Sequence, residues 1–254
     1  MNVPNHVKKR LRILITSFLF PWPDTLLFYR HAESVGNVEY NLIHEGKQAR
    51  YSEALRKTRN MDIPLSPLGR KQAIITKYWT RQHYPHIDKV FVSPFRRPNE
   101  TAEIVLPEYI GQFEEDFRLR EKDFGVFDAL SDAERQEKFA EYVELKDLLK
   151  KYYFRLPGGE NYPDMLLRAG SFLNMLKREH CGEIVAVFAH SAIIESFRFL
   201  LQGLNEKKFL QLAKTEPIRN TNVLVYTEYK NRIGKSKLRP SPLNPINPWK
   251  NILQ

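Results

Sequence analysis

At three places in this chain a short apolar run ends directly in a cation or an imidazole. Leu26-Leu27-Phe28-Tyr29 runs into Arg30-His31, Lys89–Val92 runs into Ser93-Pro94-Phe95-Arg96-Arg97, and Ile184–Ala189 ends at His190-Ser191. Runs of this length and β-branched or aromatic content predict buried strands. If the strands are parallel neighbours, two imidazoles and at least one guanidinium meet at the C-terminal edge of a sheet, where open α/β folds bind ligands. The chemistry suited to that set is attack on phosphorus. A neutral imidazole has one nitrogen free to attack and one N–H to be anchored by a backbone acceptor, and planar guanidinium forks match the charge on phosphoryl oxygens.

The elements needed to hold those residues are also readable. Val223–Tyr226 is a further strand, and helical spacing spans Gly69–Tyr84, Asn99–Leu106, Asp164–Arg178 and Ala192–Leu201. Strands alternating with helices imply right-handed crossovers and parallel pairing. The expected architecture is an α/β three-layer sandwich, a mainly parallel sheet with helices on both faces. Two segments break the rhythm: 38–64, polar and carrying Arg50, Arg56, Lys57 and Arg59, and 131–154, charged and ending in Tyr152-Tyr153-Phe154. Both are expected to cap the sheet edge and to decide substrate choice. The four cations of the first either grip a second anionic group or face solvent, and the aromatic triplet of the second is read as packing in preference to substrate stacking.

The formal charge of +10 is a property of the ends. Residues 1–23 carry Lys8, Lys9, Arg10 and Arg12 with no acid, and 230–254 carry Lys230, Arg232, Lys235, Lys237, Arg239 and Lys250 with no acid, so the body from 24 to 229 is formally neutral. The chain therefore divides into a basic N-terminal extension (1–23), one domain (24–229) and a basic, Pro-containing tail (230–254) without helix or strand period. No nucleic-acid partner is expected for the body, and the termini offer at most weak contact to a polyanion or membrane surface. Cys181 is the single cysteine, so no intramolecular disulfide forms, which favours a reducing, cytoplasmic setting. The alternative is secretion or membrane association through 1–23, where basic residues precede the apolar run Ile13–Phe20. That run ends in Pro21-Trp22-Pro23 without a cleavage motif and is too short to span a bilayer.

Six blocks in order carry a family resemblance. Arg30-His31-x-Glu33-Ser34-x-x-Asn37 resembles the R-H-G-E-S-x-x-N signature of the histidine phosphatase superfamily, in its phosphoglycerate mutase-like branch. Leu65–Ala73, Ser93–Ala102, Leu119-Arg120-Glu121-Lys122-Asp123-Phe124-Gly125, Pro157-Gly158-Gly159-Glu160 and Val187–His190 resemble its later blocks across about residues 25–227. The resemblance implies a phosphoglycerate mutase-like fold and a metal-independent phosphomonoesterase, with no cofactor, acting on a small phosphorylated metabolite. It implies His31 as nucleophile and Glu121 as general acid and base. Arg30, Arg97 and, if protonated, His190 then serve as phosphate-binding cations, with Asn37, Ser34 and Ser191 as further substrate contacts. Mutase transfer is the alternative, although mutases resemble one another through L-N-E-R-x-Y-G where this chain has Leu119–Gly125. A non-catalytic phosphate-binding protein is the third reading.

Several residues have blander readings. Arg96 misses the motif's Arg position and is expected exposed or paired, Glu160 is equally readable as a turn-fixing residue, and His83 and His86 are expected at the surface despite metal-like spacing. Ala32 and Ser191 stand where the family commonly has Gly, Phe95 where it has Leu and Glu100 where it has Gln. A lost Gly matters where the backbone needs positive φ or close approach.

Overall fold

A computed structural model describes residues 22–232 and 236–249. Strands β1 (Thr25–Arg30), β2 (Lys89–Val92), β3 (Glu114–Glu115), β4 (Ile184–Ala189), β5 (Val223–Lys230) and β6 (Ser236–Pro240) form one sheet in the order β3-β2-β4-β1-β5-β6. β1, β2, β3 and β4 run parallel, with Arg30 beside Ala189 and Val92 beside Phe188. That register makes the residues after β1, β2 and β4 emerge at one edge: the His31 N–H donates to Ala189 O (3.0 Å) and the Ser93 N–H to Phe188 O (2.9 Å).

Among the described residues the α-helices are α1 (Val35–His44), α2 (Glu53–Arg56), α3 (Pro67–His83), α4 (Arg96–Val105), α5 (Asp132–Tyr153), α6 (Tyr162–Glu179), α7 (Ser191–Gln202) and α8 (Glu206–Thr215). Successive strand residues point to opposite faces, so each strand feeds two cores. Leu26, Phe28, Phe91, Val185 and Val187 pack with Met165, Phe172, Ile193 and Phe197 of α6 and α7. Leu27, Tyr29, Val90, Ala186 and Phe188 pack with Ala73, Ala102 and Val105 of α3 and α4. Burial on both faces explains why the strand sequences are continuously apolar. This is the three-layer sandwich that the strand–helix alternation implies.

Two expectations are corrected. β5 is antiparallel to β1, not parallel. Two helices, α7 and α8, intervene after β4 and return the chain to the edge it left, so β5 starts beside Tyr29 and runs the other way. The region 230–254 is also not a structureless tail in its described part. β6 pairs with β5, Leu238 is buried, Ile246 exchanges two backbone hydrogen bonds with Val223 (2.8 and 2.9 Å), and the Asn244 side chain bonds both backbone groups of Val225. Ser236-Lys237-Leu238-Arg239-Pro240 lacks a strand signature because it is an edge strand, where charge and proline are tolerated.

The basic extension is expected in residues of which 1–21 lie outside the described ones, as do 233–235 and 250–254. Trp22 packs against the core, and its carbonyl accepts from the Gly182 N–H (3.3 Å). Among the described residues no helix is long and apolar enough to cross a membrane.

The interrupting segments fold over the sheet edge. Residues 38–64 comprise most of α1, α2 and a 3-10 turn at Asn60–Asp62. α5 opens with a Ser131/Glu134 capping box, and Glu134 also receives Arg56 Nη2 (2.6 Å), which ties the two segments together. Backbone at Phe139 and Lys150 departs from helical values, so α5 is broken near both ends. Tyr152 and Phe154 are buried in packing, while Tyr153 is half exposed.

Candidate active site

A cleft of about 880 Å³ opens at the C-terminal edge of the parallel strands, walled by Arg30, His31, Ser34, Asn37, Arg97, Glu121 and Ser191 among others. His190 lies directly beneath, its ring edge-on to His31 with centroids 5.2 Å apart. All eight residues singled out from the sequence therefore converge, although nearly the whole domain separates the first from the last.

His31 is 2 % exposed, and its Nδ1 donates to the Ala32 carbonyl at 2.7 Å. That bond fixes the tautomer and leaves Nε2 as the unprotonated nitrogen, 3.3 Å from the Arg97 Nε donor. Burial first, then Arg97 and Arg30, hold the His31 pKa well below 6.5, so the ring is neutral at physiological pH. Arg97 stands in the first turn of α4. Its Nη1 donates to Asn60 O (2.7 Å) and its guanidinium lies 5.1 Å over the Phe95 ring. Burial lowers its pKa to about 10, which leaves it charged. Arg96 instead faces outward and pairs with Glu100 (2.7 Å), as its displacement from the motif suggests.

His190 is fully buried. Its Nε2 meets Ser93 Oγ at 3.0 Å, a hydroxyl that also accepts from the Phe95 N–H (3.3 Å). Its Nδ1 has no hydrogen-bond partner and lies 3.8 Å from Glu121 Oε2. Desolvation, followed by Arg97 and His31, holds the His190 pKa well below 6.5. The condition for a third cation, a protonated His190, is not met here: buried beside two guanidinium groups, the ring is neutral. Arg30 Nη1 donates to Ile218 O (2.7 Å), while its buried Nε is likewise unpartnered. Buried polar nitrogens left unpaired in one pocket with two cations mark a place that a polyanionic group completes.

Glu121 follows the turn after β3. Its side chain is 12 % exposed, Oε1 accepts from the Lys122 N–H (2.8 Å), and burial raises its pKa above the ordinary carboxyl value against the opposing pull of Arg97. The loop carrying it is clamped by Arg168 of α6, a residue that the motif blocks do not reveal. Arg168 Nη1 donates to Arg118 O (2.6 Å) and Arg120 O (2.8 Å), Nη2 to Glu121 O (3.3 Å) and Glu160 Oε2 (3.0 Å), and Nε to Glu160 Oε1 (2.9 Å). All five guanidinium N–H groups are used. Glu160 also takes Arg120 Nη2 (2.8 Å) and the Asp123 N–H (3.1 Å), so it fixes the loop as the structural reading holds. Arg168→Ala is expected to cost about 3–5 kcal/mol, as for one removed partner of a buried ion pair, and to lower kcat. Urea unfolding and steady-state rates check both.

The remaining contacts divide. Asn37 Oδ1 accepts from the Ser34 N–H, Ser34 Oγ and Asn220 Nδ2, each at 3.1 Å, which leaves its amide NH2 as the group to offer. The Ser34 hydroxyl is spent on capping α1, accepting from the Asn37 N–H (3.2 Å) and donating to Asn37, so Ser34 is a helix cap in the cleft wall more than a ligand. Ser191 opens α7, whose first turn receives no side-chain cap and turns its N–H groups to the cleft edge. Asn220 has no signal in the local pattern, yet its Nδ2 also donates to His31 O (3.0 Å). The Ala32 N–H donates to Thr101 Oγ1 (3.0 Å). Among the described residues positive φ at a non-glycine occurs at Ala129, Lys150 and Thr221, so Ala32 and Ser191 carry no such strain. Gly69 is different: a Cβ there would lie 1.9 Å from Glu33 O, so this glycine lets α3 dock on the loop after His31. His83 and His86 are exposed and bond Trp79 O (2.8 Å) and Asp88 (3.0 Å) separately.

Two buried imidazoles, two guanidinium groups and a carboxyl at the C-terminal edge of a parallel sheet define a phosphoryl-binding α/β protein. The match of residues 26–237 to the family model of the histidine phosphatase superfamily (branch 1) goes further, and the chain belongs to that superfamily. It is 28% identical over 190 residues to phosphoserine phosphatase 1 of Hydrogenobacter thermophilus, covering 72% of this chain and 79% of that one. It is 26% identical over 258 residues to the Bos taurus 6-phosphofructo-2-kinase/fructose-2,6-bisphosphatase 3, covering 95% of this chain, and spans about half (50%) of that longer relative. Among solved structures, a mycobacterial glucosyl-3-phosphoglycerate phosphatase superposes with a TM-score of 0.64 at 20% identity over 88% of this chain and 98% of the other. The alpha-ribazole phosphatase from Shigella flexneri gives 0.65 at 19% identity over 85% and 95%. At these identities the two structures speak to the fold.

Proposed function

We propose that this chain hydrolyses phosphomonoesters of small metabolites in two steps through a phosphohistidine. His31 Nε2 attacks phosphorus in line with the ester oxygen, and the P–O bond breaks as a P–N bond forms. The protonated Glu121 carboxyl gives its proton to the departing alkoxide. Water then attacks the phosphohistidine, Glu121 takes its proton, the P–N bond breaks, and inorganic phosphate leaves with neutral His31 restored. Arg30 and Arg97 meet the charge on the transferring oxygens, with the Asn37 amide and the first turn of α7 as further donors and the His190 ring beneath them. The observation that carries this reading is the anchored His31 tautomer, an unprotonated Nε2 beside a buried guanidinium. The names of the curated relatives, phosphoserine phosphatase and fructose-2,6-bisphosphatase, support the same class.

The test is phosphate release from an aryl phosphate in excess chelator, together with rapid acid-free quenching after mixing with a ³²P-labelled ester. Label stable to alkali and lost in acid is expected on the protein. Hydrolysis without such label would overturn the phosphohistidine route. Isomerised phosphoglycerate in place of free phosphate would make the chain a mutase.

A further inference from the structure

The cleft is far larger than one phosphoryl group, and its outer end is chemically distinct from the His31 end. Lys122, in the loop after Glu121, and Lys146 and Lys151 of α5 all line it. The Lys122 and Lys151 ammonium groups lie 5.3 and 5.2 Å from the centre of the same Tyr162 ring. Glu195 of α7 lies 3.2 Å from Lys151 Nζ and accepts the Tyr162 hydroxyl at 2.5 Å, and Glu121 and Glu160 attract Lys122. Among the described residues neither Lys122 nor Lys146 has an ion-pair partner.

The other acids of the wall are engaged elsewhere. Glu160 is held by Arg120 and Arg168, Asp123 accepts from the Gly125 N–H (2.9 Å), and Asp128 from Asn60 Nδ2 (3.2 Å) and the Ala129 N–H (3.2 Å). Burial, then repulsion from Lys151, lowers the pKa of Lys122 against the pull of Glu121 and Glu160, and Lys146 adds a smaller repulsion. The cations of 38–64 do not compete for this role. Arg56 pairs with Glu134, Lys57 with Glu53 (3.1 Å) and Arg59 with Asp62 (2.5 Å), and Arg50 is exposed; none of the four is on the cleft wall. Side chains so arranged at low counter-charge attract an anion.

We propose that Lys122, Lys146 and Lys151 form a subsite for a second anionic group of the substrate, a carboxylate or phosphate borne on the same molecule as the phosphomonoester. The substrate class is thus a phosphorylated metabolite charged at both ends. This rests on the reading of the His31 end as the phosphoryl site. Lysine suits the task because its ammonium is a mobile point charge that accepts either anion, whereas an Arg fork selects bidentate geometry.

The test compares three phosphonates of equal chain length, ending in methyl, carboxylate or a second phosphonate. Affinities come from calorimetry and from inhibition of aryl phosphate hydrolysis, with the wild type and the Lys146→Ala/Lys151→Ala double variant. At least one doubly charged ligand is expected to bind about tenfold or more tighter than the methyl-ended one, and which of the two does so identifies the anion. That gain is expected to vanish in the double variant and to shrink as salt rises. Both lysines are substantially exposed, so folding is not at stake; Lys146→Glu alone is expected to reverse the preference. Equal wild-type affinity for all three, or a gain that survives the double substitution, would overturn the subsite. Tight binding of a doubly charged ligand without any hydrolysis would leave the subsite standing and refute only the phosphatase reading.

Discussion

His31→Ala is expected to lower phosphomonoester hydrolysis by about four orders of magnitude or more, the scale seen when a nucleophile acting as part of a concerted group is removed. The structure offers no substitute. His190, the nearest imidazole, is fully buried beneath His31 with its Nε2 held against Ser93 Oγ (3.0 Å). The guanidinium groups of Arg30 and Arg97 have no nucleophilic character at any accessible pH. The variant keeps both arginines and is therefore expected still to bind inorganic phosphate, which separates loss of chemistry from loss of the pocket. Phosphate release from an aryl ester, alongside thermal unfolding with and without phosphate, checks both halves. A rate within tenfold of the wild type would remove His31 from the reaction.

Glu121→Gln is expected to reduce turnover of alkyl phosphates by about 10²–10⁴-fold, the usual contribution of a positioned general acid. The loss should be far smaller with p-nitrophenyl phosphate, whose leaving group departs without a proton. The pH dependence follows from two opposite shifts. Glu121 acts while protonated; its pKa is raised by burial, so donation holds below that raised value and is lost as pH climbs through it. His31 acts while neutral; its pKa is depressed below 6.5 by burial, Arg97 and Arg30, so attack is lost only as pH falls through that lowered value. For alkyl phosphates activity is expected to fall as pH climbs through the raised Glu121 value and as it drops through the lowered His31 value. Its alkaline limb should disappear in Glu121→Gln, and a limb that persists there would assign the proton donor to another group.

What could be read in advance follows from how each contact is encoded. The strands β1, β2 and β4 are legible because burial on both faces leaves their central residues apolar, and their abrupt polar ends locate His31, Ser93 and His190 without any coordinates. Glu121 is different in kind: it sits on an irregular loop, and only the motif block marks it. Arg168 and Asn220 were beyond reach because each acts on the backbone of a distant segment, and backbone acceptors leave no trace in a sequence. β6 was missed for the converse reason, since its pairing uses main-chain groups while only Ser236 and Leu238 among its side chains are buried. The charge state of His190 also required geometry, because burial, and then Arg97 and His31, outweigh the intrinsic basicity of the ring.

The turn before β5 has a bearing on how the molecule is made. Arg30 and His31 come early in the chain, yet their backbone and side-chain groups are held by Ile218, Asn220, Thr221 and Asn222, and their strand is sandwiched between β4 and β5. During synthesis the nucleophile strand therefore emerges well before either of its neighbours exists. Such long-range pairings place the fold among slow, high-contact-order topologies, with early apolar strands exposed until late segments arrive. A nascent chain lacking the last strands has the reactive residues but not the pocket. On the proposed reading, the His31 site is complete only once the segment from Ile218 to Asn222 has been made and has docked.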